Sequence, residues 1–474
     1  MSIDAKPSPD AEAIPADAPE RPRLSAFAWA LFQGARDPYV VLITVYIFAP
    51  YFVTSVVGDS VRGQALIASG AKYGGWVVML TAPFLGAAVD RFGPRKPFLG
   101  PITALMSLLI GLLWFSMPGG AGLGVAMTVA ILAALSVLFA YTETLHNALL
   151  IPAAGSARVG AASSLGLTLS SSISLAVLVF MLWGFALPGA VSSGFIPKAP
   201  VFGLDPATRE PDRVVGPIIA GLLAIGSVPL FLFVRDVPRT GVGIVRAVRL
   251  GAADLKALVV QARGHRNALT YLGARMIFTD GMTGIFVFAG IYAAGIMGWN
   301  SLELLAYGLI LSVFAIVGGA GAGWLDARFG PKAALKLEIA CVIVAQLLAL
   351  GNTPDLFFFQ SYPTGQAVWD GPLFTTAPEL GLIVCYALCA IGVTASYSSS
   401  RTLLIRVVPP EKVGVFFGLF VLAGAATMWL GPLLVQWATE LSGSQRVGLL
   451  PLSGLLAGGL IALQFVRGGG RAAH

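Results

Sequence analysis

Asp280 and Arg275 stand inside an apolar stretch near residues 268–297. An ionisable group at the centre of a bilayer costs roughly 2.5–3.5 kcal/mol on insertion scales, so it faces a cavity or a partner. Asp280 lies about 18 Å along a helix from Ala268 at 1.5 Å per residue. Gly281 and Gly284 follow it and loosen the helix locally. Arg275 comes one to two turns earlier, and the five-residue spacing sets the two about 140° apart, so they need not pair with each other. Such groups either line a polar path through the membrane or pair with another helix. Asp280, Glu143 and His146 are candidates to bind and release a proton. Lys72, inside the second apolar stretch, either joins the path or snorkels outward. Ser170, Ser171, Ser172 and Ser174 serve helix–helix hydrogen bonding or solute binding alike.

Other chemistries find little support. The cysteines Cys341, Cys385 and Cys389 all lie in apolar stretches and read as packing residues, not as metal ligands or disulfide partners. His146, His265 and His474 form no HExxH, and no nucleophile clusters with a base. Neither an enzyme nor a cofactor is expected. No Walker-type phosphate loop is present, so work done by the chain must draw on an ion or solute gradient.

The elements that position these residues follow from composition. The 474 residues are 57% hydrophobic and 11% charged, against about 25% charged in soluble proteins. A helix needs about 20 apolar residues to cross the hydrocarbon layer. Twelve stretches qualify, near 37–57, 64–89, 97–117, 123–147, 160–187, 214–234, 268–297, 302–323, 333–351, 378–400, 413–439 and 448–466. The net charge of +7 comes without a long Lys/Arg block, so no nucleic-acid partner is expected. Of the 30 Lys and Arg, 23 fall in the termini and one alternating set of loops, and 5 in the opposite loops. That asymmetry sets both termini in the cytoplasm.

Residues 1–24 are rich in Pro, Ala and Asp, lack the apolar core of a signal peptide, and read as a disordered cytoplasmic tail. The first apolar run begins near Pro38. Residues 25–234 and 267–466 form two six-helix halves, and 467–474 is a short tail. Between the halves, 235–266 is basic. Its Leu255, Leu258, Val259 and Ala262 make one apolar stripe of a helix, lying on the membrane surface or packed under the bundle.

The two halves repeat. GAAVDRFGPRK at 86–96 returns as GWLDARFGPK at 323–332, so that Gly86, Arg91, Gly93 and Arg95 match Gly323, Arg328, Gly330 and Lys332. Six spans separate the copies, which makes the repeat parallel about an axis along the membrane normal. Gly93 with Pro94 forces a tight turn. Asp90 can pair with the neighbouring arginines or cap a neighbouring helix N-terminus, and such a pair at the mouth of the bundle can close in one conformation and open in the other. In the second copy Asp326 stands one position early.

The first hairpin resembles the loop signature of the major facilitator superfamily, and the second its echo in that superfamily's C-terminal half. ARMIFTDG at 274–281, GIYAAGIMGW at 290–299, SRTLLIRVVP at 400–409, FFGLF at 416–420, WALF at 29–32 and FAPYF at 48–52 resemble the branch related to fungal vacuolar amino-acid effluxers. Gln33 and Arg36 stand where relatives commonly carry an Asp and an Asn. The resemblance implies an all-α fold of twelve helices in two pseudo-symmetric bundles. It also implies a central cavity lined by the first, fourth, seventh and tenth helices. Tyr46, Tyr141, Glu143, His146, Tyr386 and Tyr397 are then path candidates, beside Asp280, Arg275 and Lys72. The hairpin residues and Arg401 are gate candidates.

The expected function is secondary transport of a small solute by alternating access, with H+ as a coupling ion, in the manner of an effluxer of amino acids or similar molecules. The alternative is a transporter-like receptor that binds without translocating. The expected setting is a bacterial plasma membrane, with the chain acting as a monomer in the lipid bilayer.

Overall fold

The computed structural model describes residues 22–155, 158–190, 194–409 and 412–467. Of the expected tails at 1–24 and 467–474, residues 1–21 and 468–474 lie outside the described residues, and Pro22, Arg23 and Leu24 already belong to a helix. Among the described residues, ten helices are long and apolar enough to cross a membrane: α1 (Arg23–Val57), α3 (Lys96–Phe115), α4 (Gly124–Ala148), α5 (Ala161–Ala186), α6 (Glu210–Phe233), α7 (Arg266–Ile296), α8 (Ser301–Phe329), α10 (Ala377–Val407), α11 (Phe416–Ser442) and α12 (Gln445–Gln464). The second and ninth expected stretches are also helices, α2 (Ser60–Phe92) and α9 (Pro331–Ala349). Their polar content keeps them out of the set of ten. Lys332, Lys336 and Glu338 crowd the start of α9.

Local chemistry sets many of the ends. The Asp59 carboxylate accepts from the Arg62 N–H at the start of α2. Capping boxes begin α8 (Asn300 with Glu303) and α10 (Thr376 with Glu379). Two helices are interrupted where proline removes a donor. In α1, Pro50 cannot meet the Tyr46 carbonyl, and the chain leaves helical geometry at Ile47 (φ −120°, ψ −69°). In α11, Pro432 cannot meet the carbonyl of Met428, and the helix stops at Thr427 and resumes at Leu430. The start expected near Pro38 is corrected: α1 runs back to Arg23, with Trp29 and Phe32 fully packed. The charges that hid this extension are paired inside the bundle, Arg36 with Asp37 at 2.7 Å.

Helix pairing repeats between the halves. In the first, α1 packs on α5 and α6, α2 on α4, and α3 on α4 and α6. In the second, α7 packs on α11 and α12, α8 on α10, and α9 on α10 and α12. Across the seam, α2 meets α11, α5 meets α8 and α1 meets α7.

Both arginine hairpins sit at one end of the bundle, called here the hairpin end. Lys96 Nζ donates to the Phe231 carbonyl at 2.9 Å and to that of Val234, closing the C-terminus of α6. Lys332 Nζ donates to the Val466 carbonyl at 2.5 Å, closing that of α12. The two lysines play the same part in each half, as cations do at helix C-termini. Lys96→Met and Lys332→Met are each expected to cost about 1 kcal/mol of stability, read as a lowered thermal midpoint of purified protein.

The linker helix Ile244–Ala262 packs under α2. Its buried face is Ala247, Gly251 and Ala262, while Val245, Val248, Val259 and Val260 are exposed. Of the expected stripe, Ala262 is buried and Val259 is exposed.

Candidate functional site at the seam

Midway along the seam lies a cavity of about 170 Å³. Tyr39 and Thr44 of α1, Gly70 of α2, Ser136 of α4, Asp280 and Thr283 of α7, and Pro432 of α11 contribute to its wall. The walls are otherwise apolar, and Asp280 is the ionisable acid among them.

Asp280 is 5% exposed, and its carboxylate accepts from the Gly431 N–H at 2.5 Å. That N–H belongs to the first turn of the resumed part of α11, which has no side-chain cap of its own. A carboxylate there satisfies an orphan donor and meets the positive end of the helix dipole. One turn closer to the hairpin end, Thr427 Oγ1 donates to the Met276 carbonyl at 3.2 Å. Arg275 donates to the Phe420 carbonyl at 2.9 Å, its guanidinium stacked 3.4 Å over the Phe420 ring. Asp280 and Arg275 therefore both engage α11, and not each other.

The break in α11 touches the other half. A Cβ on Gly75 of α2 would stand 2.8 Å from the backbone of Trp429, and Trp429 Nε1 donates to Met79 Sδ at 3.2 Å. The Gly431 N–H that holds the acid is thus two residues of α11 from this contact with α2.

Toward the far end the seam is sealed. Gln64 Nε2 donates to Thr439 Oγ1 at 2.9 Å and to the Gln445 carbonyl at 3.1 Å. Lys72 Nζ donates to Gln436 Oε1 at 2.7 Å. Ser301 donates to Asp212. Tyr46 packs edge-on against Tyr307 of α8, centroids 6.0 Å apart. Toward the hairpin end Glu143 is exposed and Tyr397 is 37% exposed. The Tyr397 hydroxyl lies 3.1 Å from Thr283 Oγ1, within electrostatic range of Arg275, Asp280 and Glu143. Among the described residues, the hydrogen bonds between the two halves lie at the midplane or beyond it.

Three path candidates lie elsewhere. His146 is fully buried, stacked on Trp29 at 4.2 Å and on Phe32 at 4.8 Å, with Nε2 held 2.9 Å from the Trp29 carbonyl. Tyr141 faces a separate cavity of about 310 Å³ under α2, α3 and the linker helix, its hydroxyl 2.5 Å from Thr81 Oγ1. Tyr386 is buried behind Tyr307, centroids 6.1 Å apart.

Residues 76–469 match the family described as vacuole effluxer Atg22 like. The chain belongs to that family. Autophagy-related protein 22 of Cryptococcus neoformans var. neoformans serotype D (strain B-3501A) is 23% identical over 189 residues, 39% of this chain and 32% of that one. The aligned segment thus spans about a third of that relative. An uncharacterized MFS-type transporter of Bacillus subtilis (strain 168), YxiO, is 20% identical over 93% of this chain and 94% of its own. Among solved structures, the nucleoside transporter NupG superposes with a TM-score of 0.59 at 12% identity, covering 94% and 99% of the two chains. The inward-open xylose transporter XylE from E. coli gives 0.60 at 14% identity, covering 95% and 97%. The fold is that of the major facilitator superfamily, and the chain is a multi-pass membrane protein.

In this Atg22-like chain the first hairpin is tied to the linker. Asp90 pairs with Arg95 at 3.0 Å, and Arg91 makes a two-pronged bond to Asp254 of the linker helix, each prong 2.6 Å. The Arg91 guanidinium holds the Asp254 carboxyl below the usual carboxylate range. A depressed carboxyl keeps its charge down to that lowered pKa, so this latch persists near neutral pH and lets go only in acid. Gly93, at φ 107°, lies under Pro238, whose carbonyl would stand 2.2 Å from an added Cβ. Gly86 packs near Thr144. In the second copy Gly330 takes φ 79°, Arg328 is exposed, and Asp326 is buried. Arg401 is exposed at the mouth of α10. Asp90 thus bonds within its own hairpin, and among the described residues no ion pair of either hairpin crosses the seam.

Sequence reasoning missed the Arg36–Asp37 pair, whose Asp37 accepts from Ser170 at 2.7 Å, and the buried Glu338 of α9. An acid inside an apolar helical period was the signal for Glu338.

Proposed function

We propose that this Atg22-like chain carries a small ammonium-bearing solute, of the size of a small amino acid, across the plasma membrane by alternating access coupled to protons. The observation that supports this reading most is Asp280, an acid in the wall of a cavity between the two halves. One carboxylate with hydroxyls from Tyr39, Thr44, Ser136 and Thr283 suits a cationic head group, and the apolar remainder suits a short side chain. The hairpin end is cytoplasmic, because the cations concentrate there. The arrangement, sealed at the far end, is then inward-facing.

The coupling follows from the double duty of Asp280. Its ionised carboxylate holds the Gly431 N–H. A proton or an ammonium group that takes over that charge weakens its grip on α11. Trp429, two residues before Gly431, presses on α2 of the other half, so the change is delivered to the seam. Among fold neighbours are a D-xylose–proton symporter and a fucose–proton symporter, which favours H+ as the coupling ion. Amino-acid flux in proteoliposomes tests the reading. Flux that rises with an imposed pH gradient is expected, and identical flux with and without the gradient removes proton coupling.

A further inference from the structure

Behind the seam, inside the second half, Asp326 of α8, Glu338 of α9 and Ser396 and Ser399 of α10 meet. All four are more than nine-tenths buried. Ser399 Oγ donates to Glu338 Oε1 at 2.9 Å. The other three polar atoms that converge there, Glu338 Oε2, Asp326 Oδ1 and Ser396 Oγ, have no hydrogen-bond partner among the described residues. Glu338 feels the charge of Asp326 and lies beside the Ser396 hydroxyl.

Among the described residues no cation answers these carboxylates. Lys332 and Lys336 of α9 are turned to the end of α12, bonding the Val466 carbonyl and Gln464 Oε1. Arg406 of α10 lies with them along a surface cavity of about 280 Å³. Arg401 acts on Arg275, and Arg328 is exposed. Two buried acids within electrostatic range of one another, with no counterion among the described residues, are costly to keep ionised. Two carboxylates and a hydroxyl are a set of hard oxygen donors, the kind preferred by hard cations over softer transition metals.

We propose that Glu338, Asp326 and Ser396, with Ser399 orienting Glu338, bind one sodium ion in the second half of the bundle, apart from the central cavity. The ion ties α8, α9 and α10 together near the hairpin end.

The test uses purified full-length protein. Its thermal midpoint is followed while NaCl replaces choline chloride at constant ionic strength and pH, with KCl as a second cation, beside equilibrium binding of radioactive sodium. Bound sodium stabilises the folded state in proportion to the logarithm of its concentration above Kd. A sodium-specific rise and saturable binding are expected, lost in Glu338→Gln and in Asp326→Asn and kept in Asp280→Asn. Ser396→Ala, which leaves both carboxyls in place, weakens sodium binding severalfold and keeps the proposal testable if the acid variants fail to fold. No difference between sodium and choline, or a rise that persists in the Glu338 and Asp326 variants, overturns it. So does a stability that changes with pH alike in both salts, which would make the pair a proton site. The readout is binding, so it stands or falls apart from the transport reading of Asp280.

Discussion

Asp280→Asn is expected to bring solute flux down to the background of empty proteoliposomes while leaving the thermal midpoint nearly unchanged. The two outcomes separate because the residue has two jobs. Its structural job is to accept the Gly431 N–H at the restart of α11. An asparagine carbonyl oxygen can still accept that bond, and asparagine is as good a cap as aspartate. Its proposed functional job needs a full negative charge, to bind a proton or an ammonium group in the cavity, and an amide supplies none. Asp280→Ala removes both, so it should also lose about 1 kcal/mol of stability, the usual cost of deleting a cap. Counterflow of labelled solute and a thermal-shift measurement read the two jobs side by side. Unaltered counterflow in the Asn variant would sink the assignment, whatever the midpoint does.

Much of the architecture could be read from the chain. The repeated hairpins, with Gly93–Pro94 and Gly330–Pro331, locate the duplication, and the apolar stretches locate the helices. The parts that stayed hidden share a physical reason. A linear sequence shows what a residue costs in the membrane but not which neighbour offsets the cost. Arg36 and Asp37 read as the end of a span, yet they are paired inside the bundle. Tyr386 and Tyr397 lie on nearly the same face of α10, since eleven residues make close to three turns. They differ in depth: Tyr397 is partly exposed beside Thr283, and Tyr386 is buried behind Tyr307 at the sealed far end. His146 follows Glu143 by three residues but turns to α1, where two aromatic rings enclose it. The interruption of α11 was signalled by Pro432, though not the use of Asp280 as its cap.

Gly290→Ala is expected to stop transport through the far end of the seam, a place remote from any charge. Gly290 of α7 meets α1 backbone to backbone: an added Cβ would stand 2.0 Å from the Val45 carbonyl oxygen and 3.0 Å from its carbonyl carbon. No side chain can swing aside there, because the obstacle is main chain. The sealed arrangement must then part by an ångström or more, which strains the neighbouring bonds from Gln64 to Thr439 and from Lys72 to Gln436. Each half keeps its own helix pairing, so the protein should still fold. What shifts is the balance between the two faces of the cycle. An equilibrium needs about 5.5 kcal/mol of bias to pass from 1:99 to 99:1, and an overlap with main chain biases it against the sealed arrangement. An impermeant thiol reagent on a Gln64→Cys background reads the result. Faster labelling in the Gly290→Ala variant, with flux lost, places this contact among those that must close and reopen in each cycle. Equal labelling and normal flux would mean that α1, already broken at Ile47, bends enough to admit the methyl group.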